Sequence, residues 1–201
     1  WSYFYRGDTN PQARGLRALF EQTRFYIKAI NPALNVKVYK TAIINAIVRR
    51  GVQVDLILSY HMNKTRQHYL MGGDNADMAA EVYGALLAKG GQAAADRLRI
   101  YWGTSEDGSI APAHHPSNIH AKIASFDGDA LLVGSTNWDW PSYNSARELS
   151  VALFGSDVSL RFEQEVFAPR REQSRRIQAQ DLPWRARQPG HPVYDYLHTR
   201  H

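Results

Sequence analysis

The stretch from Phe25 to Ser59 constrains the fold more than any other part of this 201-residue chain. Phe25 to Ile30 reads as a short strand closed by Asn31-Pro32. Val36 to Arg50 then spaces Ile43, Ile44, Ile47 and Val48 at helical intervals, and Gly51 stands where a helix would stop. Val52 to Ser59 alternates, with Val54, Leu56 and Leu58 on one face. A strand, a helix and a second strand in close succession make a crossover, so the two strands pair in parallel. Parallel strands need helical cover. The unit therefore predicts an α/β fold, a mixed β-sheet flanked by helices on both faces.

Other elements extend this unit. Pro11 to Arg24 reads as a helix carrying Leu16, Leu19 and Phe20 on one side, and Ala76 to Lys89 as a second one stopped by Gly90-Gly91. Leu98 to Trp102 and Leu149 to Phe154 read as strands, and Asp157 to Val166 begins a helix. Ile119 to Phe126 and Ala130 to Gly134 form a hairpin across Asp127-Gly128-Asp129, a strong short-range turn signal. Tyr60 to Gly73 and Gly103 to Asn118 read as loops. Residues 1–180 are expected to form one domain. Residues 181–201, with Pro183, Pro189 and Pro192, are expected to be an extended tail.

Composition narrows the chemistry. Hydrophobic residues make up 44% and charged residues 21%, ordinary values for a globular protein. No apolar run approaches the roughly 20 residues that span a bilayer. The absence of cysteine excludes disulfides, thiolate metal sites and cysteine nucleophiles. A formal charge of +5 suits a phosphate-bearing partner, nucleic acid or anionic lipid. Much of it clusters at Arg170, Arg171, Arg175, Arg176, Arg185 and Arg187, which reads first as a solvated helix end and second as a phosphate site. The start at Trp1 suggests a fragment or a processed form; the compartment is left open, secretion included.

The chemistry-bearing residues lie around the hairpin. On an alternating strand His120 and Lys122 share one face, while Ile119, Ala121 and Ile123 take the other. An imidazole beside a fixed cation suits phosphoryl transfer. The ring attacks phosphorus or delivers a proton, and the ammonium stabilises the charge growing on a non-bridging oxygen. Asp127 follows, then Gly134-Ser135-Thr136-Asn137 at the end of the paired strand, then Glu148 before the next one. Ser135 and Asn137 offer a hydroxyl and an amide to the same phosphate. Glu148 can accept a hydrogen bond from a catalytic imidazole and set its tautomer.

Ile119-His120-Ala121-Lys122-Ile123-Ala124-Ser125-Phe126-Asp127 followed by Val133-Gly134-Ser135-Thr136-Asn137 resembles the His-x-Lys-x4-Asp signature of the phospholipase D superfamily. That signature continues with a Gly-Ser-x-Asn element and a downstream Glu. All six positions match in order and spacing, and the resemblance covers roughly residues 14 to 167. It implies a phospholipase D-like domain with His120, Lys122, Asp127, Ser135, Asn137 and Glu148 as catalytic residues, Asp127 being mostly structural in the family. It implies a covalent phosphohistidine and no metal or other cofactor. Asp139 and Ser142 also occur in cardiolipin-synthase-like members, which tilts the substrate towards phospholipid at a membrane surface.

Two signature copies build one site in this family, and this chain carries one. The missing half belongs either to a homodimer mate or to the N-terminal part of a larger protein. The long stretch between Ser59 and Ile119 favours the larger protein, because homodimeric members are shorter. In a second half His120 would be the general acid; in a homodimer either copy could be the nucleophile. The leading expectation is hydrolysis or exchange of a phospholipid headgroup. The alternatives are a metal-independent nuclease and a non-catalytic partner half-domain. Trp138, Trp140 and His115 are expected at the substrate, Trp138 and Trp140 as a wall beside the Gly-Ser-x-Asn element.

Overall fold

The computed structural model describes residues 11–60, 75–104, 109, 119–144 and 147–199. Helix α1 (Pro11–Gln22) leads into β1 (Tyr26–Ile30), α2 (Lys37–Arg50) and β2 (Gln53–Leu58). Then come α3 (Asn75–Ala95) and β3 (Leu98–Gly103). A meander of β4 (Ile123–Phe126), β5 (Ala130–Gly134), α4 (Trp140–Asn144) and β6 (Ser150–Phe154) follows. The chain closes with α5 (Ser156–Phe162), a π-helical turn (Glu163–Phe167), α6 (Ala168–Glu172), β7 (Ser174–Arg176) and α7 (Pro192–His198). No helix among the described residues is long and apolar enough to cross a membrane.

The seven strands form one mixed sheet in the order β6-β5-β4-β1-β2-β3-β7. β1, β2 and β3 are parallel, as the crossover unit requires, and β4 runs antiparallel to β1 with Ile27 opposite Phe126. β2 is buried along almost its whole length. Its one charged residue, Asp55, is met by a two-pronged hydrogen bond from Arg99 at 2.6 Å for both contacts. Gly51 closes α2 with a left-handed φ of 70°, and its N–H caps the last turn.

Alternation along the strands sorts side chains to two cores. Ile27, Ala29, Ala124, Phe126 and Ala130 face the larger one under α1, α2 and α3. Ile30, Ile57 and Leu131 face a smaller one closed by Phe162 and Phe167 from the helical segment after β6. Helices thus cover both faces. In the smaller layer the buried carboxylate of Glu163 accepts from Ser125 Oγ at 2.6 Å, from Tyr26 Oη at 3.2 Å and from Lys28 Nζ.

Four expectations need correction. Residues 181–199 are not an extended tail. α7 packs on α3, burying Val193, Tyr196 and Leu197, and Tyr196 Oη donates to Asp96 at 2.8 Å. The 3, 4 spacing of those apolar residues outweighs the prolines, and Pro192 starts the helix rather than breaking it. The arginine cluster is not a plain helix end: Ser174–Arg176 adds an edge strand to β3, and Arg175 reaches buried Asp181 at 2.6 Å. α3 is broken rather than ended at its glycines, with Gly91 at φ 63°, ψ −162° before a short continuation. Finally, β4 begins at Ile123, so His120 and Lys122 precede the strand. The loops expected at 60–73 and 103–118 fall mostly outside the described residues.

Candidate active site

The signature residues other than Asp127 gather where β4 starts and β5 ends. Antiparallel pairing places Ile123 opposite Val133, and Gly134 N–H still donates to the Lys122 carbonyl at 3.1 Å. β6 begins beside them, with Ser150 opposite Gly134. Gly134 has no room for a side chain: an added Cβ would lie 2.4 Å from the Leu149 carbonyl oxygen. Glycine here lets the Ser135 and Glu148 segments touch.

His120 is exposed just outside the strand. Lys122 folds back so that Nζ donates to the His120 carbonyl at 2.6 Å. The lysine side chain is thus tied to the histidine backbone. Burial lowers the Lys122 pKa below its ordinary value, and the negative charges of Glu148 and Asp139 offset part of that shift.

Among the described residues the Glu148 carboxylate is held by serines, not by an imidazole. Ser135 Oγ donates to it, and Ser142 Oγ donates at 2.9 Å. Ser135 Oγ in turn accepts from Leu149 N–H at 3.1 Å. Asn137 Nδ2 donates to Asp139 Oδ2 at 3.1 Å, while its buried Oδ1 has no partner among the described residues. Asp139 also accepts from Ser142 N–H at 2.9 Å, fixing the turn into α4. A hydroxyl, an amide, an ammonium and a carboxylate thus share one end of the sheet, able to hold a phosphate beside an exposed imidazole.

Asp127 stands apart. It sits at the far end of β4 with φ 54°, in the hairpin turn. Its carboxylate accepts from the backbone N–H groups of Arg24, Phe25 and Tyr26 at 2.7, 2.8 and 2.8 Å. It therefore staples the α1–β1 junction to the hairpin and is not among the groups that can meet a phosphate. Trp138 is 3% exposed and packs against Phe20 and Tyr39, its backbone N–H donates to Asn31 Oδ1 at 3.1 Å, and it also lines the groove between α1 and the sheet. Trp140 is 45% exposed and lines a separate groove with Val36 and Tyr143. His115 lies outside the described residues.

Two supporting residues escape a reading of the sequence. Asn31 Nδ2 donates to the Thr136 carbonyl at 3.3 Å and its Oδ1 takes the Ala33 and Trp138 N–H groups, so it holds the Gly-Ser-x-Asn element in place. Gln12 joins α1 to the site through Thr136 Oγ1 and the Glu148 carbonyl. Asn31 was visible only as half of an Asn-Pro turn, and nothing local marks Gln12, which lies 124 residues from Thr136.

Residues 16–168 match the family described as cardiolipin synthase, PLD-like domain. No curated protein matches the chain. Among solved structures, the phospholipase D family member Nuc from Salmonella typhimurium superposes with a TM-score of 0.58 at 16% identity, covering 83% of this chain and 93% of that one. NucT from Helicobacter pylori gives 0.57 at 16% identity, covering 84% and 92%. Phosphatidylserine synthase from Haemophilus influenzae gives 0.60 at 13% identity, covering 94% of this chain and 42% of the synthase. At these identities the superpositions speak for the fold, and the family match speaks for descent. The chain belongs to the cardiolipin synthase, PLD-like domain family of the phospholipase D superfamily.

Proposed function

We propose that this domain supplies one half of a phosphodiester-cleaving site that hydrolyses or exchanges a phospholipid headgroup. The carrying observation is the convergence of Lys122, Ser135, Asn137 and Glu148 at the end of the sheet from which His120 emerges. Lys122 and Asn137 hold the non-bridging oxygens. One imidazole attacks phosphorus, a P–N bond forms, and the P–O bond to the leaving alcohol breaks. The other imidazolium gives that alkoxide its proton. The same group then deprotonates water or a second alcohol, which attacks phosphorus and releases the histidine. One chain has one signature histidine, so the second comes from a homodimer mate or another half of a larger protein. His120 serves as nucleophile or acid accordingly.

Polar groups that grip phosphate do not distinguish lipid from nucleic acid, and the +5 charge gives a nuclease reading its support. The test uses the two-copy assembly with phosphatidylcholine micelles, ethanol and EDTA. Phosphatidylethanol is the expected product, and His120→Ala should lower its formation by several orders of magnitude without unfolding the domain. Cleavage of single-stranded DNA with no lipid product would replace the lipid reading by the nuclease one. Near-normal turnover by His120→Ala would remove the site assignment altogether.

A further inference from the structure

A half-open groove of about 410 Å³ runs between α1 and the β4-β5-β6 meander. That volume lies within the roughly 300–1,000 Å³ range of small-molecule sites. At one end it is lined by Lys122, Thr136 and Ser150. Away from that end it is lined by Leu19, Leu132 and Phe154. Ser150 and Phe154 are four residues apart on one strand, which makes the groove about 13 Å long.

Small residues create the gap. Gly15 and Ala18 on the helix side and Ala124 and Ala152 on the strand side line it, where larger side chains would pack it shut. At Gly15 an added Cβ meets nothing within 4 Å. The groove therefore has a cation at its polar end and an apolar floor leading away. That pattern is complementary to an amphiphile, an anionic phosphate joined to a hydrocarbon chain.

We propose that this groove is the hydrocarbon subsite of the enzyme, holding an acyl or alkyl chain of the substrate whose phosphate is bound at Lys122. The assignment rests on the phosphodiester reading of that site and adds to it a structure that selects lipid. A nucleotide chain would extend its charge along the groove, where Leu19, Leu132 and Phe154 offer it no counter-charge.

The test is direct binding to the full chain of butyl and decyl phosphate, each below its micelle concentration, with decanol and thymidine monophosphate as controls. Each methylene buried is worth roughly fourfold in affinity, so decyl phosphate should bind at least about 100-fold more tightly than butyl phosphate. Gly15→Leu fills the groove from an open position and replaces a helical glycine, so its melting temperature should be equal or higher. It should abolish the chain-length dependence and keep butyl phosphate binding. Lys122→Ala should weaken both phosphates alike.

Equal binding of the two phosphates by the parent chain would overturn the subsite. So would a Gly15→Leu variant that keeps the chain-length dependence. Thymidine monophosphate binding as tightly as decyl phosphate, and weakened by Gly15→Leu, would hand the groove to a nucleotide and overturn it too. Failure of the site reading looks different: Lys122→Ala would leave butyl phosphate affinity unchanged, or decanol would bind as well as decyl phosphate.

Discussion

Replacing Asp127 measures how much of the signature is architecture. Its carboxylate takes three backbone N–H groups. A hydrogen bond to a charged acceptor contributes about 1.5–3 kcal/mol, and a buried donor left without a partner costs about 1–3 kcal/mol. The donors of Arg24 and Phe25 are exposed and can turn to water, so the half-buried Tyr26 N–H dominates. Alanine also has to adopt the left-handed φ of 54°, adding about 1 kcal/mol. Asp127→Ala should therefore destabilise by about 3–4 kcal/mol. Asp127→Asn tolerates that φ and keeps a carbonyl for Phe25 and Tyr26, losing only the bond from Arg24, so about 1–1.5 kcal/mol is expected. Urea unfolding followed by tryptophan fluorescence gives both values from the midpoint and slope. Both variants within about 0.5 kcal/mol of the parent would refute the staple, since that is the scatter of inert surface changes. So would normal stability combined with lost turnover, which would put the carboxylate at the chemistry.

Three further outcomes follow from the same contacts. Because burial lowers the Lys122 pKa, the alkaline limb of kcat/KM for the two-copy assembly should lie below the ordinary lysine value of 10.5, with activity lost as pH rises and the ammonium deprotonates. Lys122→Arg should move that limb upward, and an unmoved limb would assign it to another group. Glu163→Gln leaves Lys28 facing a neutral amide, and should cost about 2–3 kcal/mol in urea unfolding, less than a fully buried pair because Lys28 keeps some water. Leu197→Ala should cost about 2–4 kcal/mol if α7 belongs to the core, whereas a free tail would show no change.

What could be read from the sequence was what is encoded locally. The β1–α2–β2 unit is legible because its period changes from two to helical and back within one uninterrupted stretch, with Gly51 marking the change. The hairpin is legible because Asp127 and Gly128 both carry positive φ, at 54° and 73°, and few residue pairs allow that. β7 is not legible: Ser174-Arg175-Arg176 has no apolar pattern and becomes a strand only because β3 presents an open edge. Within the site, residue identities were plain and directions were not. Trp138 follows the Gly-Ser-x-Asn element in sequence, yet it is 3% exposed and packs against Phe20 and Tyr39. Glu148 was read as a partner for imidazole, and within this chain its carboxylate accepts from Ser135 and Ser142, contacts that no local pattern announces.

The seam between β1 and β4 has a consequence for how the domain folds. The parallel strands β1, β2 and β3 are joined by single crossovers, and β4, β5 and β6 by short connections, so each group forms from near neighbours in the chain. Only the β1–β4 pairing joins them, and its staple links Tyr26 to Asp127 across 101 residues. Closing so long a loop carries the largest entropic penalty of any strand pairing between these two groups, and contacts of this range slow the search for the native state. The Asn31 contacts with Thr136 and Trp138 lie on that same seam. The Gly-Ser-x-Asn element should therefore be among the last parts of the domain to become ordered during refolding.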